Sequence, residues 1–264
     1  MNGRQIVVTG GSSGIGLKIC ERLAANDDHV HVLDRNPAPG TVQYTPCDLT
    51  NPASVQAAVA ALPGTVDVLI NAAGVSGLAG VSTTMTVNFF AVRDLTTAVA
   101  PRMPRGSSVV NIASTSGWYW REHLADIREV LAARTEDEKS AVISSRIPDG
   151  YTAYARSKEA VIVWSAVASQ QYLGHIRVNS ISPGPIETPL LKDFYEAMGH
   201  DELDPLTARS GGRNGRPEEV AAVAVWLASP DAYWVNGTDI PVDHGAEMAE
   251  FLAAQDLIAP LARA

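Results

Sequence analysis

Short apolar runs recur along the chain, and most are followed by a stretch whose apolar positions are spaced for a helix. The clearest runs are 6–8, 30–33, 66–70, 107–113 and 176–181. They lack the strict alternation of a strand with one face in water, which indicates strands buried on both faces. Because neighbouring parallel strands need a crossover connection, the pattern predicts an α/β protein with a doubly wound parallel sheet in a three-layer α/β/α arrangement.

Three segments depart from this pattern. Residues 118–150 open with three neighbouring aromatic residues, continue as a plausible amphipathic helix and end in a charged stretch, 135–139. Residues 190–215 are polar with glycines near their end, which predicts a lid-like segment. The tail, 243–264, carries an apolar stripe that must pack on its own chain or on a neighbour. No linker divides the chain, so a single domain over 1–264 is expected.

The first apolar run ends in a glycine-rich turn. Gly10, Gly14 and Gly16 allow the backbone to turn sharply and to approach a ligand closely. A helix beginning near Gly14 would point its free N–H groups at a phosphate. Asp34 follows 18 residues after Gly16 at the end of the next strand, where a carboxylate can bind an adenosine ribose. Together these residues predict a dinucleotide site.

Other predicted strands also end in candidate ligand-binding residues. Asp48 lies at a strand end, where it either contacts a ligand or caps the helix that follows Pro52. The segment 71–74 consists of small residues after a strand, which leaves room for a flat ligand. The prolines of 183–189 fix a loop after the strand 176–181.

Composition narrows the class of protein. The 264 residues are 46% hydrophobic with a net charge of −9, which disfavours nucleic acid as a partner. No long apolar stretch predicts a membrane span or a leader peptide, so a cytoplasmic location is expected. Cys20 and Cys47 are predicted to be small buried residues, and the six scattered histidines do not predict a metal site.

Candidate chemistry comes from a tyrosine and a lysine. Tyr154 and Lys158 are four residues apart on a predicted helix, so their side chains leave the same face. A nearby ammonium favours the phenolate, so Lys158 is expected to lower the pKa of Tyr154 toward the range useful for proton transfer. Ser114 follows a predicted strand and could orient a carbonyl or alcohol oxygen at the same sheet edge.

Five ordered motifs resemble those of the short-chain dehydrogenase/reductase family, over residues 5–245. They are Thr9-Gly10-x-x-x-Gly14-x-Gly16, Asn71-Ala72-Ala73-Gly74, Ser114 to Gly117, Tyr154-x-x-x-Lys158 and Pro183-Gly184. The resemblance implies a Rossmann fold of about seven strands, a nicotinamide cofactor and a homodimer or homotetramer.

The resemblance also implies a set of site residues. The catalytic residues would be Asn88 as part of a proton relay, Ser114, Tyr154 and Lys158, and Lys158 would also hold the nicotinamide ribose. Thr188 would hold the nicotinamide carboxamide. The expected cofactor is NAD, since Asp34 would repel a 2′-phosphate, although Arg35 beside it could pair with one. The complete expected NAD site is Gly10, Ser12, Ser13, Gly14, Ile15, Gly16, Asp34, Arg35, Asp48, Leu49, Asn71, Ala72, Ala73, Gly74, Tyr154, Lys158, Pro183, Gly184, Ile186 and Thr188.

The chain departs from the family pattern in two places. His244 stands where the family usually has glycine, and 39 residues separate Ser114 from Tyr154, which marks 118–150 as an insertion. Ser116, Trp118 and Trp120 are expected to line the substrate pocket, although the tryptophans could instead anchor helix packing or a subunit interface.

The expected activity is reversible oxidation of an alcohol to its aldehyde or ketone, with a small molecule as the substrate. Members with a similarly long gap suggest an aromatic allylic alcohol of the coniferyl type. A 3α-hydroxysteroid or another cyclic secondary alcohol is the alternative. A non-catalytic dinucleotide-binding sensor is the alternative from another class, but a sensor would not need Ser114, Tyr154 and Lys158 together. The short region after Pro183 disfavours a sugar-nucleotide dehydratase or epimerase.

Overall fold

Seven parallel strands form one sheet in the computed structural model, which describes residues 3–40 and 42–258. The order is β3-β2-β1-β4-β5-β6-β7, as the doubly wound prediction requires. The strands are β1 (Gln5–Thr9), β2 (His29–Asp34), β3 (Gln43–Pro46), β4 (Val68–Asn71), β5 (Ser107–Ile112), β6 (Ile176–Pro183) and β7 (Asp239–Val242). The order reverses between β1 and β4, so the loops after these two strands separate and leave a crevice at the carboxyl edge.

Helices cover both faces of the sheet. They are α1 (Gly14–Ala24), α2 (Pro52–Ala61), α3 (Val81–Met85), α4 (Ala91–Val99), α5 (Leu124–Ala132), α6 (Glu136–Arg146), α7 (Gly150–Gln171), α8 (Pro189–Met198), α9 (His200–Arg209), α10 (Pro217–Leu227) and α11 (Ala246–Ala254). A π-helical turn, Thr86–Phe90, joins α3 to α4.

Neighbouring residues of one strand serve opposite layers of the core. Val7 belongs to the cluster that includes residues of α2, α4 and α7, whereas Val8 belongs to the cluster formed with α1 and α10. Both valines have no exposed surface. This two-sided burial explains why the strand lacks an alternating pattern.

The 118–150 insertion contains two helices, of which the sequence interpretation found one. The amphipathic stretch is α5, as predicted. The charged stretch 135–139 is the beginning of α6, where Thr135 and Glu138 form a reciprocal capping box. Thr135 followed three residues later by Glu138 is the signal that could have predicted this helix.

The segment predicted to be lid-like is mostly helical, because 190–215 contains most of α8 and all of α9. The tail forms α11, joined to α9 by an ion pair between Arg209 Nη1 and Glu250 Oε2 at 2.7 Å. Met248 and Phe251 remain about half exposed, and the last residues of the tail, 259–264, lie outside the described residues. No helix described in the structure has both the length and the apolar character needed to cross a membrane.

Candidate active site

The glycine-rich turn after β1 is packed so closely that side chains do not fit. Gly10 has φ of +71°, and a Cβ atom there would lie 2.6 Å from the backbone nitrogen of Ala73. A Cβ atom on Gly16 would collide with the carbonyl oxygen of Gly10. The close packing brings the first turn of α1 to the crevice, where its free N–H groups suit a phosphate. This cradle fits the pyrophosphate of a dinucleotide.

A carboxylate stands at the end of β2, next to the glycine turn. Asp34 Oδ2 accepts hydrogen bonds from the hydroxyl of Ser12 at 2.6 Å and from its backbone N–H at 3.1 Å. Its other oxygen accepts from the backbone N–H of Asn36 at 3.0 Å. These bonds hold the carboxylate over the cavity, and Arg35 beside it is exposed.

Asp48 lies on the cavity wall but does not cap a helix. Its Oδ1 accepts from the hydroxyl of Thr50 at 2.7 Å and from the backbone N–H of Thr50 at 2.9 Å. These hydrogen bonds lower the pKa of the Asp48 carboxyl. The side chain of Asn51 caps α2 instead, so the capping alternative for Asp48 is wrong.

The side chains expected to carry the chemistry meet at the carboxyl end of β5. Tyr154 and Lys158 share one face of α7, and Lys158 Nζ lies 5.6 Å from the Tyr154 ring centroid. The same Nζ donates a hydrogen bond to the carbonyl oxygen of Ile112 at 3.0 Å. Ser114, two residues beyond Ile112, accepts from the backbone N–H of Ser116 at 3.1 Å. The structure therefore brings all three together.

The pKa of Tyr154 differs from the expectation. The surrounding protein desolvates the phenol and raises its pKa to about 12, an effect opposed by hydrogen bonding from Ser114. Burial also lowers the pKa of Lys158 to about 8. Burial therefore acts on the pKa of Tyr154 in the direction opposite to the one expected from Lys158, and the lowering of this pKa by Lys158 stays a prediction.

Asn88 sits in the π-helical turn, which is a rare local structure that often occurs at functional sites. Its side chain accepts from the backbone N–H of Val75 at 2.9 Å and donates to the Val75 carbonyl oxygen at 3.0 Å. It also donates to the hydroxyl of Ser157 at 3.3 Å. Asn88 therefore joins the loop after β4 to α7 through hydrogen bonds.

One cavity of about 290 Å³ connects the glycine turn with Ser114 and Tyr154. Its lining includes most of the predicted residues: Gly10, Ser12, Ser13, Gly14, Ile15, Gly16, Asp34, Arg35, Asp48, Leu49, Ala72, Ala73, Gly74, Ser114, Ser116, Tyr154, Lys158, Pro183, Gly184, Ile186 and Thr188. Within the described part of the chain, the lining does not include Asn71, Asn88, Trp118 or Trp120.

Comparison with known proteins identifies the family. A sequence profile described as "short chain dehydrogenase" matches residues 4–125, and one described as "Enoyl-(Acyl carrier protein) reductase" matches 139–247. The chain is 34% identical over 251 residues to coniferyl-alcohol dehydrogenase of Pseudomonas sp. strain HR199, which covers 93% of this chain and 97% of that protein. The chain belongs to the short-chain dehydrogenase/reductase family. It is an oxidoreductase acting on CH–OH groups, so the sensor alternative is wrong.

Further relatives and solved structures are similar to this short-chain dehydrogenase over most of its length. D-threitol dehydrogenase of Mycolicibacterium smegmatis is 30% identical, with 93% of each chain covered. The crystal structure of the 3-alpha-hydroxysteroid dehydrogenase from Pseudomonas sp. B-0831 complexed with NADH is 29% identical, with a TM-score of 0.79 and coverage of 95% of this chain and 98% of that one. A short-chain dehydrogenase of Burkholderia cenocepacia complexed with NADP is 25% identical, with a TM-score of 0.72 and coverage of 93% and 98%.

The side chain of Asn71 in this short-chain dehydrogenase forms hydrogen bonds inside the protein and does not line the cavity. Its Nδ2 donates to Asn111 Oδ1 at 2.8 Å and to Thr96 Oγ1 at 3.1 Å. The side chain is buried, and it links the neighbouring strands β4 and β5 to α4. Its expected contact with the cofactor is not supported because the amide points into this buried network.

Neither Trp118 nor Trp120 reaches the cavity. Trp120 packs against the core beneath the insertion, with the Arg121 guanidinium 4.1 Å from its ring centroid. Both tryptophans belong to the 3₁₀ turn Thr115–Arg121, which carries the chain away from Ser114 after Ser116. The structure therefore does not support the pocket assignment of these aromatics, and the helix-packing alternative describes Trp120.

The apolar wall of the cavity comes from the lid helices, which sequence reasoning missed. The lining residues of α8 and α9 are Leu190, Leu191, Phe194, Met198, Leu203 and Leu206. The first four have helical spacing, so that Leu190, Leu191, Phe194 and Met198 share one face of α8. That spacing within a polar segment is the signal that could have identified this wall.

His244 stands where the family usually has glycine, and its backbone has a conformation that favours glycine. Its φ of +57° lies in the left-handed region, which a side chain other than glycine rarely adopts. Gly184 packs against the neighbouring Asp243, where an added Cβ atom would lie 3.1 Å from the Asp243 Cβ atom. His244 thus occupies a backbone conformation that glycine adopts more readily.

Proposed function

We propose that this short-chain dehydrogenase uses NAD to interconvert an aromatic allylic primary alcohol and its aldehyde. The carrying observation is that one cavity is lined by the glycine turn, by Ser114 and Tyr154 and by apolar side chains of α8 and α9, and that Tyr154 contacts Phe194 of α8. We assign the dinucleotide to the glycine-lined half and the alcohol to the apolar half beside Phe194, so that both would meet at these hydroxyls.

Tyr154 is the proposed proton-transfer group. In oxidation the phenolate form of Tyr154 takes the proton of the alcohol and becomes the phenol, and in reduction the phenol gives its proton to the carbonyl oxygen. The bound nicotinamide would supply the hydride acceptor or donor. Ser114 orients the substrate oxygen, and the Lys158 ammonium over the Tyr154 ring favours the negative charge that develops on the phenol oxygen.

NAD is the proposed cofactor because of the environment of Asp34. Its carboxylate, held by Ser12 and Asn36, can accept a hydrogen bond from a ribose 2′-hydroxyl but repels a 2′-phosphate. Arg35 is exposed and makes no side-chain hydrogen bond among the described residues. Solved structures of similar chains hold NADH or NADP, so this argument depends on the residues of this chain.

The proposed substrate class is based on the side chains that line the cavity and on the substrate of one relative. Leucine, phenylalanine and methionine side chains form the substrate half, which suits an aromatic ring better than a sugar. The relative that is 34% identical is a coniferyl-alcohol dehydrogenase. A hydroxysteroid is the second candidate, because the same apolar wall and the 29% identical hydroxysteroid dehydrogenase favour it.

The test is a panel of alcohols incubated with NAD or NADP, followed by NADH or NADPH formation. Coniferyl and cinnamyl alcohol represent the proposed class, with a 3α-hydroxysteroid, cyclohexanol, a tetritol and allyl alcohol as comparisons. We expect the highest kcat/KM for an aromatic allylic alcohol with NAD. A higher value for the steroid would replace the first substrate class with the second, and preference for the tetritol would contradict the apolar assignment.

A further inference from the structure

An aromatic side chain of the lid touches the reacting tyrosine. The ring of Phe194, on α8, meets the ring of Tyr154 edge-on, with centroids 4.9 Å apart and planes inclined by 67°. Edge-on contact is a favoured arrangement for aromatic pairs. Phe194 also lines the cavity. Its position therefore limits the space beside the hydroxyl of Tyr154.

Helix α8 itself is weakly held by packing. It has no fully buried side chain, and Thr188 at its N-terminus provides no side-chain cap. Elements with few buried contacts open more readily than the core. The position of Phe194 must consequently depend on a specific attachment of α8.

That attachment is a hydrogen bond to the loop after β4. The hydroxyl of Ser76 donates to Asp193 Oδ2 at 3.1 Å, and Asp193 immediately precedes Phe194. Among residues 3–40 and 42–258, no other side-chain hydrogen bond joins α8 to the body of the domain. A hydrogen bond from a hydroxyl to a carboxylate is stronger than one between two neutral groups. The bond thus fixes α8 next to the residue that contacts Tyr154.

The other end of this bond is rigid. Ser76 is 2% exposed, and its carbonyl oxygen accepts from the hydroxyl of Thr84 at 3.0 Å. The preceding residue, Val75, is held on both backbone groups by Asn88. The loop after β4 therefore provides a fixed anchor for the lid.

We propose that Ser76 and Asp193 are positioning residues, whose hydrogen bond holds α8 so that Phe194 lies edge-on to Tyr154 and determines which alcohols fit beside the reacting hydroxyl. The proposal rests on the proposed function for its substrate side. Its structural side, the attachment of α8, stands independently of any substrate.

Substrate ranking tests the part played by Phe194. Phe194→Ala should lower kcat/KM for cinnamyl alcohol by roughly 10–200-fold, the range for an apolar contact in a pocket, and change that for allyl alcohol by less than about threefold. Equal losses for both alcohols would overturn the assignment of Phe194. Asp193→Ala should raise KM for cinnamyl alcohol with a smaller effect on kcat. Asp193→Asn keeps an acceptor oxygen without the charge and should raise KM less than Asp193→Ala.

Hydrogen exchange by mass spectrometry tests the attachment without any turnover. In Ser76→Ala and in Asp193→Ala, the amides of α8 should exchange roughly tenfold faster than in the wild type, while exchange in the sheet stays unchanged. The double variant should show the same increase as each single variant, because all three lack the same hydrogen bond. Asp193→Asn is the matched control, because it keeps an acceptor oxygen but loses the charge, and it should retain more protection than the alanine variants. The proposal would be overturned if the alanine variants kept wild-type protection, or if the losses of the two single variants added up in the double variant. It would also be overturned if Asp193→Asn lost as much protection as Asp193→Ala. If the wild type oxidises no alcohol of the panel, the proposed function fails while exchange still decides the attachment.

Discussion

The ammonium of Lys158 lies over the ring of Tyr154, with Nζ 5.6 Å from the ring centroid. A cation at this distance attracts the electrons of an aromatic ring and stabilises the phenolate. The surrounding protein acts in the opposite direction on both groups, since the pKa of Tyr154 rises to about 12 and that of Lys158 falls to about 8. This balance between charge and desolvation sets the fraction of Tyr154 that is ready to accept or to give a proton at a given pH.

Alcohol oxidation should accelerate as pH rises from 6 to 9. Oxidation requires Tyr154 to accept a proton, and a phenol with a raised pKa is protonated throughout this range, so each step upward in pH increases its small reactive fraction. Carbonyl reduction uses the protonated phenol and should not rise. Profiles of kcat/KM in both directions check this difference. Parallel profiles for oxidation and reduction would contradict the role of Tyr154.

The parts of the site that the sequence predicted depend on neighbours along the chain. Gly10, Gly14 and Gly16 form a turn whose close approach only glycine permits, and Tyr154 and Lys158 share a helix face because of their spacing. The order of apolar runs likewise predicted the parallel sheet. These features are local, so a single sequence carries them.

The missed parts depend on contacts between distant segments. Ser76 and Asp193 are 117 residues apart, and the sequence around neither residue indicates that they form a hydrogen bond. Trp120 carried a plausible pocket signal, but the 3₁₀ turn after Ser114 directs it to the core. The pKa of Tyr154 depends on desolvation by the whole fold, which the spacing to Lys158 does not reveal.

Cofactor choice should depend on the charge of Asp34. The wild type should have a higher kcat/KM with NAD than with NADP, and Asp34→Asn should shift this ratio toward NADP by roughly tenfold or more, since it removes the repulsion and keeps an acceptor oxygen. Ser12→Ala is the matched control, because it removes a partner of Asp34 but leaves the charge. Preference of the wild type for NADP would mean that Arg35 outweighs Asp34.

Trp120→Ala should affect stability rather than substrate choice. Loss of its partly buried ring from the core should lower the free energy of unfolding by about 1–3 kcal/mol, less than for a fully buried tryptophan. The ranking of the alcohol panel should remain that of the wild type. Chemical denaturation and the panel together check this. A changed ranking with unchanged stability would restore Trp120 to the pocket.

The most direct test of the account is NADH formation from an aromatic allylic alcohol by the wild type, Tyr154→Phe and Tyr151→Phe. Tyr151 lies on the same helix and is 64% exposed, which makes it a matched control for loss of a phenol hydroxyl. We predict a loss of roughly 10²–10⁴-fold in kcat for Tyr154→Phe, wild-type turnover for Tyr151→Phe, and NAD binding unchanged in both. Turnover by Tyr154→Phe within about threefold of wild type would contradict proton transfer by Tyr154, because so small a loss corresponds to less than ~1 kcal/mol of the barrier.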